Sequence, residues 1–134
     1  MTGAASEPAT AGVTALVLAG RRPGERDVLA EAAGVACKAL VPVAGVPMLA
    51  RVVGALRAAG GVRRVVVLGD PATLPPAALP AGVAEVVPAA DSPAAGVAAA
   101  LERFGAPLLV TTADHPLLTA AMVEHFLAAT PWAC

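Results

Sequence analysis

Aromatic side chains are nearly absent from this 134-residue chain, which has two Phe, one Trp and no Tyr. That argues against the aromatic platforms on which single-stranded nucleic acid stacks. An excess of one charge is missing too. Nine basic against ten acidic residues leave a net charge of −1, too little to recruit nucleic acid or a membrane surface. No stretch of about 18 uncharged apolar residues occurs, because Glu31, Lys38, Arg51, Glu85 and Asp91 interrupt every candidate. No basic segment precedes the first apolar run, which argues against a signal peptide. A soluble, cytoplasmic protein is the expectation. Cys37 and Cys134 are too few and too isolated for a disulfide framework or a zinc site.

What is present is small and aliphatic. The chain is 57% hydrophobic, with much of that alanine, and Val and Leu supply the bulk of a core suited to close helix-on-sheet packing. The length predicts one domain. Residues 1–12 are small and polar without periodicity and read as a disordered N-terminal tail, leaving 13–134 as the domain. An apolar run at 13–19 reads as the first strand. A long loop follows, in which 30–36 could hold a helical turn that Gly34 weakens. Residues 47–59 form a helical pattern, with Met48, Leu49, Val52, Val53 and Leu56 on one stripe. Gly60-Gly61 ends it. Strands are predicted at 63–68, 83–87 and 107–112. Helices are predicted at 93–104, capped by Ser92, and after the cap Thr119 as far as residue 129, with Met122, Val123, Phe126 and Leu127 facing inward. Short continuous apolar strands alternating with helices indicate an α/β fold with a mainly parallel sheet covered on both faces. Such sheets bind ligands outside the carboxyl ends of their strands. Gly20 and Asp114 both follow strand ends and could share one crevice.

Three segments carry possible chemistry. The first strand runs out through Leu18, Ala19 and Gly20 into a loop with Arg21, Arg22, Gly24 and Arg26. Glycine lets backbone approach a ligand and arginine neutralises it, so phosphate is the leading guest. Neither the P-loop nor the dinucleotide fingerprint is present, and a solvated arginine turn is the plainer alternative. Lys38 precedes the apolar Ala39-Leu40-Val41 and is either a surface lysine or a point charge for phosphate. Asp114 ends the run Leu108-Leu109-Val110-Thr111-Thr112-Ala113, just before His115-Pro116. It is either a turn-former or a ligand for Mg2+. His115 reads as a positioner or turn residue rather than a base, and His125 as solvated.

Taken together, the order of these segments resembles the MobA-like nucleotidyltransferases. The order is strand, Leu-Ala-Gly, arginine loop, Lys-Ala-Leu-Val-Pro-Val-x-Gly-x-Pro-Met-Leu, helix, and later strand, Thr-Ala-Asp-His-Pro-Leu-Leu-Thr, helix. The resemblance covers roughly residues 13–129 and implies a Rossmann-like fold of the GT-A type. It implies that Leu18, Ala19, Gly20 and Gly24 line a nucleotide site, with Ser92 and Gly96 as looser matches beside the base. It implies catalytic roles for Arg21, Arg22, Arg26 and Lys38 in holding phosphates, with Asp114 holding Mg2+. The chain departs from the family where Arg21 stands for a second glycine and Val46 for a common Lys or Arg. It also ends soon after the helix that follows Asp114, so a member shortened at its C-terminus, with an incomplete sheet, is the expectation.

The reaction so implied is transfer of an NMP group from an NTP to a phosphate-bearing small molecule, with release of pyrophosphate. Three rivals accompany it. A catalytically inactive nucleotide-binding module would bind without turnover. An interaction protein would use an exposed sheet edge. A glycosyltransferase of the same architecture would need an Asp-x-Asp metal motif, which the chain lacks.

Overall fold

The computed structural model describes residues 12–20 and 26–130. Residues 1–11, assigned above to the tail, lie outside the described residues. Gly12 is described and packs on the Gly61 carbonyl, where a Cβ would come within 2.6 Å.

Four parallel strands make the sheet: β1 (Val13–Leu18), β4 (Val62–Gly69), β5 (Val83–Pro88) and β6 (Leu108–Thr112), in the order β5-β4-β1-β6. Two short antiparallel strands, β2 (Pro42–Val43) and β3 (Val46–Pro47), form a separate hairpin. The helices are α1 (Val28–Ala33), α2 (Met48–Ala58), α3 (Pro93–Phe104) and α4 (Ala120–Ala129), with short 3-10 turns at Lys38–Leu40 and Pro76–Ala78. The fold is α/β with helices on both faces of a parallel sheet, as the apolar runs and their spacing indicate.

Strand periodicity divides the core in two. Ala15, Val17, Val65 and Val67 face α2 and Val123 of α4, whereas Leu16, Val66 and Leu68 face Ala100 of α3. Both faces are covered, so central strands carry no polar alternation. The predicted stripe of α2 is buried in full, from Met48 through Leu56. Gly96 sits where α3 crosses the sheet; a Cβ there would come within 2.5 Å of Leu68 Cδ2. Glycine is therefore the residue that lets helix and strand approach.

Two expectations are corrected. The helix in the long loop starts at Val28, capped by Asp27, and Gly34 is its left-handed C-cap at φ 70° rather than a weak point inside it. In α4, Val123 is buried, but Met122 is 52% and Phe126 54% exposed. The helix packs on the core through Ala120, Val123 and Leu127 only. These are spaced i, i+3, i+7, and the apolar face is wider than the surface it covers. Among the described residues no helix is long and apolar enough to cross a membrane.

The topology selects one end of the sheet. From β1 the chain moves to β4 and β5 on one side, then returns through α3 to β6 on the other side of β1. The reversal lies between β1 and β6, and in open parallel sheets the crevice beyond such a reversal is where ligands sit.

Candidate active site

Registers align the strand ends, with Leu18 opposite both Leu68 and Thr112. Backbone pairing continues past them. Ala19 N–H donates to Leu68 O at 2.8 Å, Ala113 N–H to Leu18 O at 3.0 Å, and Ala89 N–H to Gly69 O at 3.2 Å. These bonds fix a rim above which a cleft of about 850 Å3 opens. Leu18, Ala19, Gly20, Arg26, Lys38, Ser92 and Asp114 all border it. Gly20 has a local reason to be glycine: a Cβ would stand 3.3 Å from that of Ala89, tightening the gap between the β1 and β5 ends.

Lys38 and Asp114 meet across this rim. Lys38 Nζ lies 2.7 Å from Asp114 Oδ2, with the two side chains 44% and 42% exposed. The pair borders a smaller recess of about 60 Å3, together with Gly20 and Ala113. The Lys38 ammonium, followed by the Thr112 hydroxyl, holds the Asp114 carboxyl below its usual range. At this exposure such a pair adds little to stability, and both groups stay open to a ligand.

Other residues are committed locally. Arg26 holds Glu31 through three bonds, Nη2 to Oε1 at 2.6 Å, Nε to Oε2 at 3.0 Å and Nε to Oε1 at 3.2 Å, and that carboxylate raises the pKa of the guanidinium. Ser92 Oγ accepts from Ala95 N–H at 3.1 Å, so its first duty is capping α3. Gly96 is not among the cleft-lining residues and instead abuts Leu68. His115 supplies a turn through its carbonyl, which accepts from Leu118 N–H. Arg21, Arg22 and Gly24 lie outside the described residues.

Sequence reasoning overlooked several lining groups, among them Asp27, Cys37, Asp70 and Asp91. Burial pushes the Cys37 thiol pKa up, so it is a packed, protonated wall residue. Asp70 closes the turn after β4, its Oδ1 accepting from Ala72 N–H. Asp27 had a readable signal, since an Asp directly before an apolar pair is an N-cap pattern.

A divalent ion needs several oxygen, nitrogen or sulfur donors around it. Among the described residues no three His, Cys, Asp or Glu side chains come together to hold a metal. Asp114 alone offers a hard carboxylate oxygen beside the recess. That suits Mg2+, which usually takes one or two carboxylates and completes its shell with water and substrate phosphates, and does not suit an ion needing an all-protein cage.

Several known structures share the architecture. A hypothetical transferase from Thermus thermophilus superposes with a TM-score of 0.70 at 37% identity, over 90% of this chain and 47% of that one. A nucleotidyl transferase from Methanothermobacter thermautotrophicus gives 0.63 at 21% identity, covering 88% of this chain and 57% of that one. CMP:2-keto-3-deoxy-manno-octonic acid synthetase complexed with CTP gives 0.60 at 20% identity, over 87% and 45%. The last two likenesses speak for fold alone. The chain thus spans about half the length of the structures it matches. No curated protein matches it in sequence. Residues 15–133 match the family described as the MobA-like NTP transferase domain. With its strand-end cleft and with nearly its whole length matched, the chain belongs to the MobA-like NTP transferase domain family.

Proposed function

We propose that this domain binds an NTP at the β1–β6 end of the sheet and transfers its NMP group to a phosphate-bearing small molecule, releasing pyrophosphate. The observation that carries the reading is the Lys38–Asp114 pair at 2.7 Å, one cation and one carboxylate at the mouth of the cleft beside Gly20. A nucleoside triphosphate with its metal ion presents the complementary charges. Phosphate oxygens take the lysine, and the cation takes the carboxylate.

In the proposed step an oxygen of the acceptor phosphate forms a bond to the α-phosphorus in line. The bond from that phosphorus to the bridging oxygen breaks, and pyrophosphate leaves with the electron pair. Positioning and charge neutralisation are the protein's main contributions to such a transfer. Lys38 stabilises charge on the phosphoryl oxygens. Arg26 can turn from the exposed Glu31 to the leaving group, since a surface ion pair contributes only about 0–1 kcal/mol. The Ala19–Gly20 backbone gives the nucleotide a close, uncrowded approach. Ser92 and the first turn of α3 border the opposite wall. Asp114 would hold Mg2+, whose chemistry there is charge neutralisation and polarisation of the phosphates. Loss of the Lys38 charge should raise the barrier by roughly 2.7–4 kcal/mol, the range seen for loss of one preorganised donor.

A pyrophosphate-release assay with the four NTPs, MgCl2 and a set of sugar phosphates and other phosphate-bearing small molecules tests this reading. Turnover that falls at least a hundredfold in Lys38→Ala and Asp114→Ala supports it. Nucleotide binding without release from any acceptor favours the inactive-module alternative. Turnover unchanged in both variants contradicts the assignment.

A further inference from the structure

Asp27 joins the two ends of the segment that delivers Lys38. Its Oδ1 accepts from Ala30 N–H at 3.1 Å, capping α1, and its Oδ2 accepts from the backbone N–H of Lys38 at 2.8 Å. Both bonds are part-buried, which strengthens a charge-assisted contact relative to open water.

The second bond fills a specific gap. Lys38 opens the 3-10 turn Lys38–Leu40, and the residue at that turn's N-cap, Cys37, makes no side-chain capping bond. The first N–H of such a turn lies outside the turn's own hydrogen bonds. A carboxylate arriving from α1 satisfies it. The lysine side chain has four rotatable bonds and is nearly half exposed, so its ammonium can be set opposite Asp114 only if its backbone is fixed first. We infer that Asp27 is a positioning residue, anchoring the Lys38 backbone so that its ammonium stands over the cleft against Asp114. It acts through Lys38 and need not touch substrate. Its bearing on nucleotide binding rests on the function proposed above, while the anchoring itself does not.

Lys38 is the only lysine in the chain, which makes the anchoring directly observable. Protein labelled with ε-13C-lysine gives a single side-chain lysine signal. In Asp114→Ala the signal reports a lysine that has lost its contact with Asp114. Asp27→Ser keeps one oxygen for the α1 cap but is too short to serve Lys38 as well. Its lysine signal should move toward that of Asp114→Ala, and Asp27→Asn should do the same in part. Ala32→Gly weakens α1 at an exposed position without touching either bond and should leave the signal in place. A lysine signal in Asp27→Ser and Asp27→Asn identical to wild type overturns the inference, as does an equal displacement in Ala32→Gly.

Titration of the wild type with each NTP and MgCl2 reads the functional consequence. An NTP that shifts the lysine signal should bind about tenfold or more weakly to Asp27→Ser, the usual scale for losing a group that orients a ligating residue. That loss should vanish in a Lys38→Ala background. An additional tenfold loss in the Lys38→Ala background would contradict action through Lys38. If no NTP moves the wild-type signal, the nucleotide reading fails, and the unliganded spectra still decide whether Asp27 anchors Lys38.

Discussion

The ammonium of Lys38 reaches the carboxylate of Asp114 at 2.7 Å, although one follows α1 and the other lies just past the last strand of the sheet. Neither residue is buried enough for this pair to hold the fold together. Lys38→Ala and Asp114→Asn should each change unfolding free energy by less than about 1 kcal/mol in urea denaturation. The pH dependence has a defined sign. Lys38 depresses the Asp114 pKa, so the pair's small contribution is present above the ordinary carboxylate pKa and is lost as pH falls through the folded value. The stability gap between wild type and Lys38→Ala should therefore start to close as pH falls through the ordinary carboxylate value of about 4 and vanish once the depressed folded value is passed. A gap that widens on acidification would contradict the pairing.

Ala44 occupies the left-handed region at φ 50°, followed by Gly45 at φ 82°, in the β2–β3 hairpin. Two-residue hairpin loops of this kind favour Asn-Gly. Arg51 holds the turn by donating to the Val43 carbonyl at 2.9 and 2.7 Å. Ala44→Asn should relieve the strain and stabilise by about 0.5–1 kcal/mol. Calorimetry should register a Tm a few degrees higher, and a lower Tm would count against the turn geometry.

Gly96 is assigned to packing rather than to ligand contact. Gly96→Ala places a methyl against Leu68 and should cost about 1–3 kcal/mol, the usual range for overpacking. Undiminished stability with weakened nucleotide binding would reverse that assignment.

The two faces of α4 give a paired comparison. Val123→Ala removes a buried side chain and should cost about 1–3 kcal/mol. Phe126→Glu alters an exposed one and should stay within about 0.5 kcal/mol. Equal losses would mean that Phe126 is covered in solution.

Most of the fold is legible in the sequence because its causes are local. Continuous Val and Leu runs mark strands buried on both faces, and Ser92 and Thr119 cap α3 and α4, accepting from Ala95 and Met122 N–H. The α2 stripe is read correctly because its opposite face carries Arg51 and Arg57. In α4 apolar residues lie on more than one face, so periodicity cannot say that Val123 turns inward and Phe126 does not. α1 hides for the opposite reason. Val28 and Leu29 point outward, 66% and 52% exposed, and leave no inward stripe to detect. The shared crevice of Gly20 and Asp114 is foreseeable from strand ends in a parallel sheet, whereas Lys38 reaches it from a 3-10 turn. The bond from Asp27 to the Lys38 backbone is not, because it depends on how the segment between them folds back. Arg26 carries the same lesson, its charge being engaged by Glu31 across the start of α1.

Isothermal titration of each of the four NTPs, with and without MgCl2, into wild type, Lys38→Ala and Asp114→Ala decides whether Lys38 and Asp114 form a nucleotide site. At least one NTP should bind wild type in a Mg2+-dependent manner. Asp114→Ala should lose the Mg2+ dependence, and Lys38→Ala should bind at least tenfold more weakly. Wild type indifferent to all four nucleotides, or both variants binding as wild type does, would contradict such a site.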